Sequence, residues 1–161
     1  MNLMFNWKDI KNRGRGLTFD DVLLTPARSD IRSRRDPQLT SKLTKKISLE
    51  TPIISANMDT ITEYDMAFAM NQLGGLGILH RFITTEEQAV QARRLKEAGV
   101  QHVSASVGVG EEFKSRAKLL IDAGVNIITI DIAHGHSIQM METLKWLKDQ
   151  YPQVEIIAGN L

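Results

Sequence analysis

The chain has 161 residues, 42% hydrophobic and 24% charged, the balance of a globular domain with enough apolar side chains to bury a core. A net charge of +1 excludes a nucleic-acid footprint over the whole surface and leaves room for a small anionic ligand. Cysteine is absent, which removes disulfides, thiolate metal sites and thiol nucleophiles from this chain, and no stretch approaches the roughly 20 apolar residues of a membrane span, so a cytoplasmic protein without nucleic-acid or membrane partners is expected.

Residues 1–16 mix apolar residues, breakers and scattered basic residues, and read as a surface arm. Leu17–Leu24 (LTFDDVLL) alternates imperfectly and stops at Thr25-Pro26, which predicts a short strand or extended segment closing at a turn. Arg28, Arg32, Arg34 and Arg35 follow in a Pro-flanked loop poor in apolar residues. Such a loop is either simply solvated or a phosphate contact, because guanidinium groups match phosphate oxygens in pairs. Residues 1–50 thus form an N-terminal arm and basic loop.

From Thr51 a repeat sets in. TPIISANM is an apolar run ending in small polar residues, and the next segment places Met66, Phe68, Ala69, Met70 and Leu73 at helical spacing before Gly74-Gly75. LGILHRF repeats the strand; TTEEQAVQARRLKEAG repeats the helix, with Thr84 or Thr85 as N-cap, glutamates early, basic residues late and Gly99 as stop. HVSASVGV with EEFKSRAKLLIDAG, and IITIDIAHGHS with IQMMETLKWLKDQYP, make the third and fourth units, and VEIIAGN supplies a fifth strand. Strands alternating with helices imply right-handed crossovers and a parallel sheet. No Gly-rich dinucleotide turn follows the first strand, and the repeat length suits an eightfold barrel of roughly 250 residues, so residues 51–161 read as an incomplete (β/α)8 TIM barrel with five strands and four helices.

In such a sheet ligands gather at the carboxyl ends of the strands. Those ends carry Ser55–Asp59, His80-Arg81, Ser106–Gly110, Asp131–Ser137 and Gly159-Asn160. Asp131 is either a helix N-cap or an acceptor for a ribose or amide group, and the polar run behind it exceeds what capping requires. His134 and His136 beside one carboxylate are weak support for a metal, and none is expected. Gly108 and Gly110 either allow a ligand near the backbone or make a plain turn. His80-Arg81 is a solvated strand terminus or, through Arg81, a contact for a charged ligand. Asn160 offers a donor and an acceptor, and Met58, by residue type, reads as core.

The motifs LTFDDVLLTP, PIISANMDT, GGLGILHRF, SASVGVG, ITIDIAHGHS and IIAGN, in this order and spacing, resemble the inosine monophosphate dehydrogenase and guanosine monophosphate reductase family. The resemblance implies a barrel that binds a purine nucleotide and a nicotinamide cofactor, usually in homotetramers. It places Ser33, Arg34, Arg81, Asp131, Ile132 and Ala133 against the cofactor, and Met58 and Asn160 beside the nucleotide, which revises the reading of Met58. Dehydrogenases of the family usually insert regulatory CBS modules after the second barrel helix, whereas here Arg94–Gly99 runs directly into the third strand. Asn57, LHRF and SVGV are similar to the reductases, which convert GMP to IMP with NADPH; GGLGILH and TTEEQ are similar to NAD-dependent IMP dehydrogenases. The reductase is the expected branch. The family's nucleophilic cysteine, monovalent-cation loop, proton-transferring threonine and glutamate and most phosphate-binding glycines follow the fifth strand, so this chain is expected to carry no catalytic residue and to be inactive as it stands. A dehydrogenase without CBS modules and a non-catalytic nucleotide-binding half-barrel are the alternatives.

Overall fold

The computed structural model describes residues 17–160; the arm expected at residues 1–16 lies outside them. The chain divides after Pro37 into two units. In the first, Phe19–Asp21 forms a 3-10 turn inside Leu17–Leu24, where a short strand or extended segment is expected. The cause is local: the Thr18 N–H donates to the Asp21 carboxylate at 2.8 Å, while the Asp21 N–H donates back to the Thr18 carbonyl at 3.1 Å. Backbone geometry turns extended at Val22, and the turn expected at Thr25-Pro26 is not formed.

The second unit opens with a short antiparallel hairpin, β1 (Ser41–Lys42) and β2 (Ser48–Leu49), which the sequence reading did not anticipate. The Thr44 hydroxyl closes its turn by accepting from the N–H groups of Lys46 and Ile47, both at 3.1 Å. There follow β3 (Ile54–Ser55), α1 (Tyr64–Gln72), β4 (Leu76–Leu79), α2 (Thr85–Glu97), β5 (Ser104–Val107), α3 (Phe113–Asp122), β6 (Ile127–Ile130), α4 (Ile138–Gln150) and β7 (Glu155–Ala158). All neighbouring strands pair in parallel, in the order β3-β4-β5-β6-β7, which is the five-strand, four-helix part of a (β/α)8 barrel that the repeat predicts.

Side chains alternate across this sheet because successive strand residues point to opposite faces. Leu79, Ala105, Val107, Ile128 and Ile130 face the helices, meeting Ala67, Ala92, Leu95, Ala117, Leu120 and Leu147. Leu76, Ile78 and Ile127 face the other way and are covered by Ile47 and Leu49 of the hairpin. Since Leu76 and Ile127 begin their strands, the hairpin seals the amino-terminal end of the inner face, and Lys46 pins it there by an ion pair with Glu155 at 3.0 Å. Of the apolar positions spaced along α1, only Phe68 and Met70 are partly buried; Ala67 is the fully buried contact, because the helix backbone rides directly over Gly77.

The helix ends follow the sequence signals. Thr84 caps α2, its hydroxyl accepting from the Glu87 N–H at 3.2 Å, while hydrogen bonds from the Thr84 side chain and backbone hold the Glu87 carboxyl below the usual carboxylate range. Gly74, Gly99 and Gly124 take φ of 78°, 82° and 102° behind α1, α2 and α3, a conformation that favours glycine. Ser137 caps α4 by accepting from the Met140 N–H at 3.3 Å. Ser137→Ala therefore lowers stability by about 1 kcal/mol in urea unfolding, the usual worth of a hydroxyl cap; an unchanged midpoint would show that the cap adds nothing.

Candidate functional site

The carboxyl ends of β4, β6 and β7 bring three of the selected residues to one rim. Arg81 directly follows β4, and Asp131 directly follows β6. Their side chains meet: the Arg81 Nε–H donates to Asp131 Oδ2 at 2.8 Å, with 35% and 23% of the side chains exposed. Asn160, two residues beyond β7, accepts on its carbonyl from the Gly135 N–H, tying the end of the fifth strand to the Asp131–Ser137 loop. Gly159 is needed for this approach, because a Cβ there would fall 2.3 Å from the Ile130 carbonyl oxygen.

The alternatives left by the sequence resolve physically. Asp131 is not the cap of α4, since Ser137 does that six residues later, so its carboxylate is committed to Arg81. His80 is not a solvated terminus: it is 1% exposed, its Nδ1 accepts from the Phe82 N–H at 3.1 Å, and its Nε2 lies 3.1 Å from Glu63 Oε1. With Nδ1 accepting, the ring proton sits on Nε2 and is donated to Glu63. Met58 is not core: its side chain is half-exposed in the turn after β3, where its carbonyl accepts from the N–H groups of Ile61 and Thr62. Ile132 is partly buried, and Ala133 and Asn160 are exposed. Ser33 and Arg34 belong to the first unit, where the Ser33 N–H donates to the Asp36 carboxylate at 2.9 Å and the Ser33 hydroxyl accepts from the Arg35 N–H. His134 and His136 are exposed, and among the described residues no three His, Asp or Glu side chains are grouped to hold a metal.

Two residues that the sequence reading passed over hold this edge together. Gln88, fully buried in α2, donates from Nε2 to the carbonyls of Leu79 and Ser106 at 3.3 and 3.0 Å, joining the ends of β4 and β5. Its Oε1 accepts from Arg116 Nη1 at 2.7 Å, and Arg116 Nη2 reaches the Ile83 carbonyl at 3.1 Å. The signal for Gln88 was present, since it lies four residues before Ala92 on the face that also presents Ala89 and Leu95 to the core. A polar side chain at a core position needs buried partners. Burial, ahead of the neighbouring Arg81 charge, holds the Arg116 guanidinium below its ordinary range, against the opposing charges of Glu112 and Glu86. A larger cavity, about 660 Å³, opens between α1 and α2 beside Asp59, Glu63 and Asp65, and Arg81, Asp131 and Asn160 do not line it.

A parallel α/β barrel segment with a charged pair and an amide residue on its carboxyl rim defines a class: barrel proteins that bind ligands through the loops behind their strands. Comparison with known proteins narrows the class. The model of the IMP dehydrogenase / GMP reductase domain matches residues 16–161. The inosine-5'-monophosphate dehydrogenase of Cryptosporidium parvum is 35% identical over 94% of this chain and 47% of its own length, and that of Borreliella burgdorferi is 31% identical over 90% and 48%. The GMP reductase of Leishmania donovani is 48% identical over 52% of this chain and 17% of its own. The chain belongs to the IMP dehydrogenase / GMP reductase family, and it spans about half the length of the curated dehydrogenases it matches. No helix among the described residues is long and apolar enough to cross a membrane.

Proposed function

We propose that this chain is the nucleotide-facing first part of a purine nucleotide oxidoreductase that reductively deaminates GMP to IMP with NADPH. The observation that carries this reading is the convergence of Arg81, Asp131 and Asn160 on one rim. Asp131 Oδ2 is spent on Arg81, while Oδ1 has no hydrogen-bond partner among the described residues and fits a ribose hydroxyl or carboxamide of a nicotinamide cofactor. Ile132 and Ala133 offer an apolar wall beside it. When bound, the cofactor supplies the hydride; the chain's own residues hold and orient it, and Met58 and Asn160 lie beside the purine nucleotide. In the first unit, Ser33 and Arg34 are the residues proposed for contact with the cofactor.

The reductase branch is supported by the direct passage from α2 to β5 through residues 98–103, with no inserted module, and by 48% identity to the Leishmania GMP reductase. The dehydrogenase of Nitrosopumilus maritimus aligns over 269 positions against this chain's 161 residues and so carries segments with no counterpart here. The second reading, an NAD-dependent IMP dehydrogenase without CBS modules, is favoured by the far longer coverage of the dehydrogenase matches. A cytoplasmic homotetramer completes the proposal. Assays of the complete gene product, following nicotinamide absorbance, test it: turnover of GMP with NADPH is expected, and turnover of IMP with NAD alone would overturn the reductase assignment.

A further inference from the structure

A cavity of about 310 Å³ lies between the connection from β4 to α2 and the connection from β5 to α3, with Arg81 and Arg116 both among its lining residues. Arg81 spends its Nε on Asp131 and lies over the Gly108 backbone, its Nη1 being 3.5 Å from where a Gly108 Cβ would stand. Gly110, also in the wall, has open space at its Cβ position. Arg116 is half-buried, and both of its hydrogen bonds go to neutral acceptors, the Gln88 amide and the Ile83 carbonyl. Among the described residues it forms no ion pair; Glu111 and Glu112 line the cavity but are exposed, and neither is within ion-pairing distance. A buried cation normally has an anion beside it, since desolvation without one is costly. Here Arg81 is paired outside the recess with Asp131, while half-buried Arg116 has no ion-pair partner among the described residues, which leaves room beside it for an anion small enough to enter.

We propose that this cavity is a phosphate site, in which one phosphate group is held between Arg81 and Arg116 over the Gly108 backbone. Guanidinium groups suit that ligand because their planar N–H pairs match phosphate oxygens. The assignment deepens the proposed function and rests on it for the source of the phosphate, which is either the dinucleotide cofactor or free phosphate.

Calorimetric titration of the 161-residue chain with inorganic phosphate, inorganic pyrophosphate, NADPH and NAD separates these cases. Expected is binding of pyrophosphate that weakens about tenfold or more in Arg116→Met and less in Arg116→Lys, which keeps the charge. Because Arg116→Met also removes the tether to Gln88, Glu112→Gln provides a check on an exposed position: removing a carboxylate from the rim tightens pyrophosphate binding by about two- to fivefold. Inorganic anions that bind with no gain for either dinucleotide would support the phosphate site and count against the cofactor reading. Dinucleotide binding indifferent to Arg116 and Glu112 would overturn the site while leaving that reading intact, and a chain that binds none of the four ligands would overturn the site.

Discussion

Asp131→Ala raises the dissociation constant of the chain for NADPH by about 10- to 100-fold, the loss of a charge-assisted hydrogen bond worth about 1.5–3 kcal/mol, and also lowers its unfolding midpoint. The substitution acts twice. It removes the carboxylate proposed to accept from the cofactor, and it leaves the Arg81 guanidinium without its 2.8 Å partner. Breaking a fully buried ion pair costs about 3–5 kcal/mol. Here 35% of the Arg81 side chain and 23% of the Asp131 side chain are exposed, so solvent screening reduces this to about 1.5–3 kcal/mol of folding stability, separate from the affinity loss. Asp131→Asn keeps an acceptor oxygen but no charge and should fall between. Fluorescence titration reads both; an alanine variant that binds as tightly as the parent would remove Asp131 from the cofactor site.

Gly77→Ala has the largest expected effect on folding. A Cβ at Gly77 would stand 2.4 Å from the Ala67 Cα and 2.8 Å from its Cβ, and Ala67 is fully buried. The obstacle is helix backbone, not the end of a flexible side chain, so α1 must lift from β4 as a body. Overpacking of a rigid contact costs about 1–3 kcal/mol, and this one belongs at the upper end. Gly99→Ala is the instructive comparison, because no atom lies within 4 Å and only its φ of 82° opposes a side chain, at about 1 kcal/mol. Urea unfolding should rank them in that order, and a Gly77→Ala midpoint equal to that of the parent would show that α1 and β4 are not in the close contact described.

The contrast between these two glycines shows what sequence can and cannot tell. Gly99 was legible as a helix stop because the signal is local: a periodic run ends and a residue free to take positive φ follows. Gly77 was not, because its role depends on Ala67 approaching from another element. The same division runs through the site. Asp131 was legible as the polar end of a buried strand; its partner Arg81 is fifty residues away and was selected only for its charge and position behind β4. The hairpin over residues 41–49 escaped notice because its strands are two residues long, too short for alternation to register, although Ile47 and Leu49 cover the inner face. Phe19–Asp21 was misread because a Thr18–Asp21 hydrogen bond outweighed an imperfect alternation.

The most direct measurement is an amide NMR titration of the isotope-labelled chain with NADPH. The account predicts shifts at Gly108, at Asp131 to Gly135 and at Gly159 and Asn160, the rim behind β5, β6 and β7. Shifts confined to Gly74, Gly99, Gln101 and Glu155, at the opposite ends of the strands, would contradict it.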